Sequence, residues 1–196
     1  MKTEDLRTLR LLEEIERASS PSQRDLAARL GVSLGLVNSF VRRLAAKGYF
    51  KITTLPKNRA RYILTPKGAA EKARLTLEYF QYSLRFYKDA RASARRVLAG
   101  LAGEGVRRVA FFGAGDLAEI VYVSLKETPL TLAGVVDLSG AGKKFLGMEV
   151  KGLADLAAMA PDRVLVMSPD TVAARQALEE SGIPPARLVW LISGEG

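Results

Sequence analysis

The chain has 196 residues and a formal net charge of +9, is 48% hydrophobic, and contains neither cysteine nor histidine. That composition removes disulfide frameworks, thiol catalysis and thiolate zinc sites, together with the commonest general base and metal ligand, so no metal is expected. Residues 1–100 carry 21 Lys+Arg against 9 Asp+Glu, whereas residues 101–196 carry 9 against 12, an asymmetry that predicts two modules with a polyanion partner for the first.

The opening "MKTEDLRTLRLLEEIERASS" is charged throughout and has no apolar h-region, which argues against a signal peptide. No run approaches the roughly 18 apolar residues of a membrane span, and a cytoplasmic protein without membrane contact is expected. Leu6, Leu9, Leu12 and Ile15 recur at helical spacing and predict an amphipathic first helix. In "SPSQRDLAARLGVSLGLVNSFVRRLAAKGYF", Ser22 is a helix N-cap with Asp25 three residues on, and Gly31 supplies the tight turn. Ser33 caps the next helix, whose Val37, Phe40, Val41 and Leu44 face inward and leave Ser33, Asn38, Ser39, Arg42 and Arg43 outside. Two β-prone runs, 49–54 and 61–65, flank "LPKNRA" and predict a hairpin with a basic tip of Lys57, Arg59 and Arg61.

Three helices and a basic hairpin make a winged helix over 1–65. A helix of this kind fits the major groove of double-stranded DNA, and the cations of the wing neutralise phosphates. Asn38 and Arg42 are positioned for bases or phosphates equally. The alternatives are a solvated surface or a winged helix that binds protein.

Thr65-Pro66 starts a long helix over 66–102. Ala73, Leu77, Phe80, Leu84, Tyr87, Ala94, Leu98 and Leu101, with Arg91 in the remaining slot, alternate steps of four and three, a heptad seam. A helix of about 36 residues is about 54 Å long and has too little domain around it to bury that seam, which predicts a homodimer. The alternative is an intramolecular cover.

The last stretch, 103–196, alternates strand and helix. Strands are predicted in "VRRVAFF", "TLAGVVDL", "DRVLVM" and "RLVWLI", and helices after Gly115, in "KGLADLAAMA" and in "DTVAARQALEESG". The fold class is therefore α/β: a winged helix, a long linker or dimerisation helix, and a compact Rossmann-like parallel sheet. The turn Gly113-Ala114-Gly115-Asp116-Leu117-Ala118 is a G-x-G-x-x-A that cradles a phosphate at a helix N-terminus, and Asp137 stands 22 residues beyond Gly115, where it can hold ribose hydroxyls. NAD(H) fits that acid better than NADP(H). Asp116 puts a negative charge beside the proposed diphosphate. Ser168, past the third strand, either touches ligand or belongs to an ordinary turn with Asp170 starting a helix. "SGAGKKFLG" is not a phosphate loop, because Asp137 stands where its first glycine belongs and Lys144 where Ser or Thr should bind magnesium; Lys143 and Lys144 read as a solvated loop, the alternative being a reach to an anionic ligand.

Two resemblances bear on function. "PSQRDLAARLGVSLG" and "YILTPKGAAEKARLTLEYFQYSLRFYKDA" resemble MarR-type winged-helix regulators, in particular a subgroup associated with exopolysaccharide genes. This implies a dimeric transcriptional regulator of surface-polysaccharide genes. "FFGAGDLA" and "VVDL", with the domain order, resemble Rex-type redox repressors, which implies NADH. The longer "GAGDLAEIV" and "LAGVVDLSGAGKKFLGMEV" are also similar to Rossmann domains of polysaccharide-pathway proteins, including sugar acyltransferases, which implies a nucleotide-sugar. A dehydrogenase needs a substrate domain and a proton-handling residue, which this sequence lacks. The expectation is a ligand-sensing regulator and not an enzyme; the alternative is a small NAD- or nucleotide-sugar-dependent enzyme with a vestigial winged helix.

Overall fold

The computed structural model describes residues 1–17, 21–55 and 59–191, and the side chains of Leu55 and Arg59 fall outside that description. The chain forms two compact units, Met1–Arg85 and Phe86–Gly196.

The first unit holds α1 (Thr3–Arg17), α2 (Gln23–Leu30), α3 (Leu34–Ala46), β1 (Phe50–Leu55), β2 (Arg59–Leu64) and the start of α4 (Pro66–Gly103). Its core gathers Leu11, Leu12 and Ile15 of α1, Leu26 of α2, Val37, Val41 and Leu44 of α3, and Phe50 and Tyr62 of the hairpin. The local signals are those read from the sequence. Asp25 donates its N–H to Ser22 Oγ at 3.1 Å and its carboxylate accepts the Ser22 N–H at 2.9 Å, a full capping box. Gly31 ends α2 at φ 63°, where a Cβ is strained. The Leu36 N–H donates to Ser33 Oγ at 3.3 Å and fixes the first turn of α3. β1 and β2 pair antiparallel from Phe50↔Leu64 to Leu55↔Arg59, with Phe50 and Tyr62 packed edge to face at 5.7 Å. Thr65 caps α4 by accepting the Gly68 N–H at 3.0 Å. A Cβ on Gly68 would overlap the Tyr49 carbonyl, so only glycine lets α4 leave so close to the base of the hairpin.

The second unit continues α4 and adds β3 (Arg108–Phe112), α5 (Asp116–Leu125), β4 (Thr131–Val136), β5 (Lys144–Phe145), β6 (Met148–Lys151), β7 (Arg163–Val166), α6 (Thr171–Glu180) and β8 (Leu188–Trp190). The sheet order is β5-β6-β4-β3-β7-β8, parallel except for the β5–β6 pair. Val109 and Phe111 of β3 pack on one face with Ala94, Leu98 and Leu101 of α4 and Ala118, Val121 and Leu125 of α5. Ala110 and Phe112 pack on the other with Leu156, Met159 and, from α6, Ala174 and Leu178. Burial on both faces explains why β3 reads as an unbroken apolar run.

Two elements differ from expectation. Lys144 lies in a strand: β5 and β6 form a hairpin around Leu146 and Gly147, whose φ of 47° and 85° match the left-handed pair that a two-residue hairpin turn requires. The helix expected in "KGLADLAAMA" is a single 3-10 turn, Leu153–Asp155. Lys151 is drawn into β6 opposite Val136, and Ala160 takes φ 46°, so the segment is bounded on both sides by non-helical backbone.

Candidate functional site

The outward face of α3 carries Leu34, Gly35, Ser39 and Arg42, all exposed, with Asn38 half-buried between them. At 100° per residue Asn38, Arg42, Gly35 and Ser39 share one arc of the helix, and Leu34 lies at its edge, next to the buried Val41 and Val37. Ser33 spends its acceptor on the cap and keeps its hydroxyl proton. Arg43 is committed elsewhere. It bonds Glu4 of α1 at 2.7 Å, and its guanidinium lies 4.5 Å from the centre of the Phe40 ring. It braces α3 on α1 and does not stand beside Arg42 as a second free cation.

On the hairpin, Arg61 is exposed and sits opposite Thr53. Strand alternation puts Lys51 on the same face, away from Phe50 and Tyr62. Lys51 went unnamed in the sequence reading, although its place next to an inward Phe50 was the signal for it. Lys57 and the Arg59 side chain lie outside the described residues.

In the second unit, Gly113 is buried at φ 106°, and a Cβ there would come 3.1 Å from the backbone of Met167 and Ser168. Gly113 therefore permits both the turn and the approach of the β7 end. Gly115 caps α5 without a side chain, and a Cβ on it would meet nothing within 4 Å. Ala118 is fully buried between α5 and the sheet. The half-buried Asp137 is held by the turn itself. Its Oδ2 accepts the Ala114 N–H at 3.0 Å, and its Oδ1 accepts the Ser139 N–H at 2.9 Å and hydroxyl at 3.2 Å. Burial pushes the Asp137 carboxyl up, but the N–H groups of Ser139, Ala114 and Gly140 and the Ser139 hydroxyl outweigh it and leave the group below the usual aspartate range.

Ser168 donates its hydroxyl to the Asp170 carbonyl at 3.2 Å, and Asp170 caps α6 by accepting the Ala173 N–H at 3.0 Å. That is the ordinary turn. Gly115, Asp116 and Leu117 line a cleft of about 530 Å³ together with Met167 and Pro169 past β7 and Asp89 of α4. Its walls are mostly apolar and its charged lining residues are carboxylates, so the concern about Asp116 is reinforced by Asp89. Among the described residues no group of three or more His, Cys, Asp or Glu gathers as a metal site, and no helix is long and apolar enough to cross a membrane.

Residues 4–51 match the family model described as winged helix-turn-helix DNA-binding. The first unit thus carries a winged helix-turn-helix DNA-binding domain, which supports a DNA-binding regulator. The match spans α1 to the start of β1; the rest of the hairpin is seen in the structure. A search of curated proteins finds no match to the chain.

Proposed function

We propose that the protein is a dimeric transcriptional regulator of MarR-like type, acting in the cytoplasm on double-stranded DNA and not as an enzyme. The observation that carries this reading is the outer face of α3, with Asn38, Ser39 and Arg42 turned away from the core of an assigned DNA-binding domain and without side-chain partners among the described residues, on a chain of net charge +9.

Dimerisation is supported by α4. Leu77, Phe80, Leu84 and Tyr87 of the heptad seam are 57%, 62%, 41% and 39% exposed in the single chain. The later members Ala94, Leu98 and Leu101 are buried in the second unit, and Arg91 is ion-paired with Glu127 at 2.6 Å. A seam that leaves four large apolar side chains in water finds its natural cover in a second copy.

The second unit is a Rossmann-like sensor in this reading. Its strand order places β3 between β4 and β7, so successive connections leave in opposite directions at the β3/β7 ends, where such sheets take ligands. The ligand class is a nucleotide, NAD(H) or a nucleotide-sugar, and the regulated genes are those of surface polysaccharide. Binding shifts the balance between two dimer geometries.

The test is a gel shift on an operator selected from random duplexes, titrated with NADH, NAD and UDP-sugars. The expected result is retention at low salt and a midpoint moved by one of the three. A midpoint that none of them moves removes the sensor, and no retention removes the regulator.

A further inference from the structure

The first turn of α3 is unusual for a surface that meets a polyanion: it carries Leu34 and Gly35 and no charge. Leu34 is 40% exposed, while Val37, Val41 and Leu44 of the same helix are buried. Leu34 stands at the edge of the stripe formed by Val37 and Val41 but is not among the side chains packed into the core of the unit.

Gly35 poses the same question from the backbone. Gly31 is glycine because its φ is 63°, and Gly68 because the Tyr49 carbonyl fills the place of a Cβ. Gly35 has an ordinary helical backbone, and a Cβ on it would meet nothing within 4 Å. Glycine is among the poorest residues for a helix, so its presence without an internal reason points to an external one. Gly35 lies on the arc shared with Asn38, Ser39 and Arg42 and Leu34 at its edge, both in the N-terminal turn, the part of a recognition helix that reaches base edges.

We infer that Leu34 reads the 5-methyl group of a thymine in the major groove, and that Gly35 gives α3 the clearance to bring it there. The major groove offers an apolar side chain one base-specific partner, the thymine methyl, and a phosphate offers it none. Ser33 holds the turn through the Leu36 N–H, so the leucine is presented from a fixed frame. Recognition then divides along α3: Leu34 selects thymine by contact, Asn38 bonds a neighbouring base edge, and Arg42 lies one turn further along. This assignment rests on the DNA-binding reading of the first unit and adds to it the class of base selected.

The experiment uses the full-length chain and a duplex that it selects from a random pool. Each thymine of the selected site is replaced in turn by deoxyuridine, which removes only the methyl group. Affinities are measured for the wild type, Leu34→Ala and Gly35→Ala, with folding checked by circular dichroism. At one thymine per half-site the replacement is expected to weaken the wild type about fourfold, the factor for one buried methyl-sized group, and to leave Leu34→Ala unchanged. Gly35→Ala is expected to keep or raise the melting temperature and to lose affinity for the selected duplex. Equal losses for wild type and Leu34→Ala at every thymine overturn the methyl contact while leaving DNA binding intact. Wild-type affinity in Gly35→Ala overturns the clearance role. Failure to select any duplex at low salt overturns this inference together with the reading beneath it.

Discussion

The outer face of α3 and the turn between β3 and α5 are both glycine-bearing, both at the start of a helix, and chemically opposite. On α3 the polar groups are uncommitted: Arg42 is exposed and makes no ion pair among the described residues, and Gly35 has empty space beside it. At the β3–α5 turn the acid is already engaged. Asp137 accepts three hydrogen bonds from Ala114 and Ser139, and Gly113 is pressed against the β7 end. The first surface is completed by whatever binds it. The second has its acid and the Ala114 N–H engaged with each other, while the start of α5 has no side-chain cap. Substitutions should therefore separate cleanly, with binding lost at α3 and stability lost at the turn.

The largest effect is expected from Asn38→Ala combined with Arg42→Ala. Each base-edge contact is worth about 1–3 kcal/mol, so the double variant should lose operator affinity by roughly 2–6 kcal/mol while its unfolding midpoint hardly moves. Fluorescence anisotropy with labelled operator and urea denaturation measure the two sides. A double variant that binds normally breaks the comparison at its stronger end. Next is Gly113→Ala. An alanine at φ 106°, 3.1 Å from the backbone of Met167 and Ser168, should cost about 1–3 kcal/mol of stability in the second unit. Gly115→Ala, with nothing within 4 Å of its Cβ, should cost much less. Equal melting of the two variants would show that the turn is not under the constraint its geometry implies.

How far these sites could be read from the sequence depends on the range of the interactions that make them. The Ser22–Asp25 capping box, Gly31, the strand–turn–helix around Gly113 and the Asp170 cap are settled within a few residues, and their spacing announced them. The β5–β6 hairpin escaped because Leu146 occupies a left-handed position usually marked by Asn or Asp before glycine. The commitment of Arg43 to Glu4 was illegible for another reason. On α3 alone Arg43 looks as available as Arg42, and only the packing of α1 brings Glu4 to it. The Asp137–Ala114 bond is of the same kind. The sequence put the acid at the right distance from the turn, but its bond to the Ala114 N–H is made by how β4 lies along β3.

A smaller effect is expected at the wing. If Arg61 contacts a phosphate, Arg61→Ala should reduce the salt slope of operator binding by about one and leave base preference unchanged. Titrating operator affinity of both proteins across a salt series measures it. Loss of preference instead of slope would move Arg61 from the phosphates to a base edge.

The smallest prediction bears on the committed side of the comparison. The Asp137 carboxyl in the folded chain lies below its unfolded value, so the charged form is the one the fold prefers. Its contribution is then fully present above the unfolded aspartate pKa of about 3.9 and is lost as pH falls through the lower folded value. An asparagine side chain in its place would keep an amide oxygen for one N–H but present an NH2 where the carboxylate accepts the others. Asp137→Asn should therefore cost about 1 kcal/mol at neutral pH, in the range for a hydrogen bond to a charged group that is partly in water. That deficit should begin to shrink as pH falls below the unfolded value, where Asp137 of the unfolded chain takes up its proton, and disappear below the lower folded value. Urea denaturation of both proteins at pH 7 and pH 3 measures the gap. A gap that stays constant would assign the effect of Asp137 to shape and not to charge.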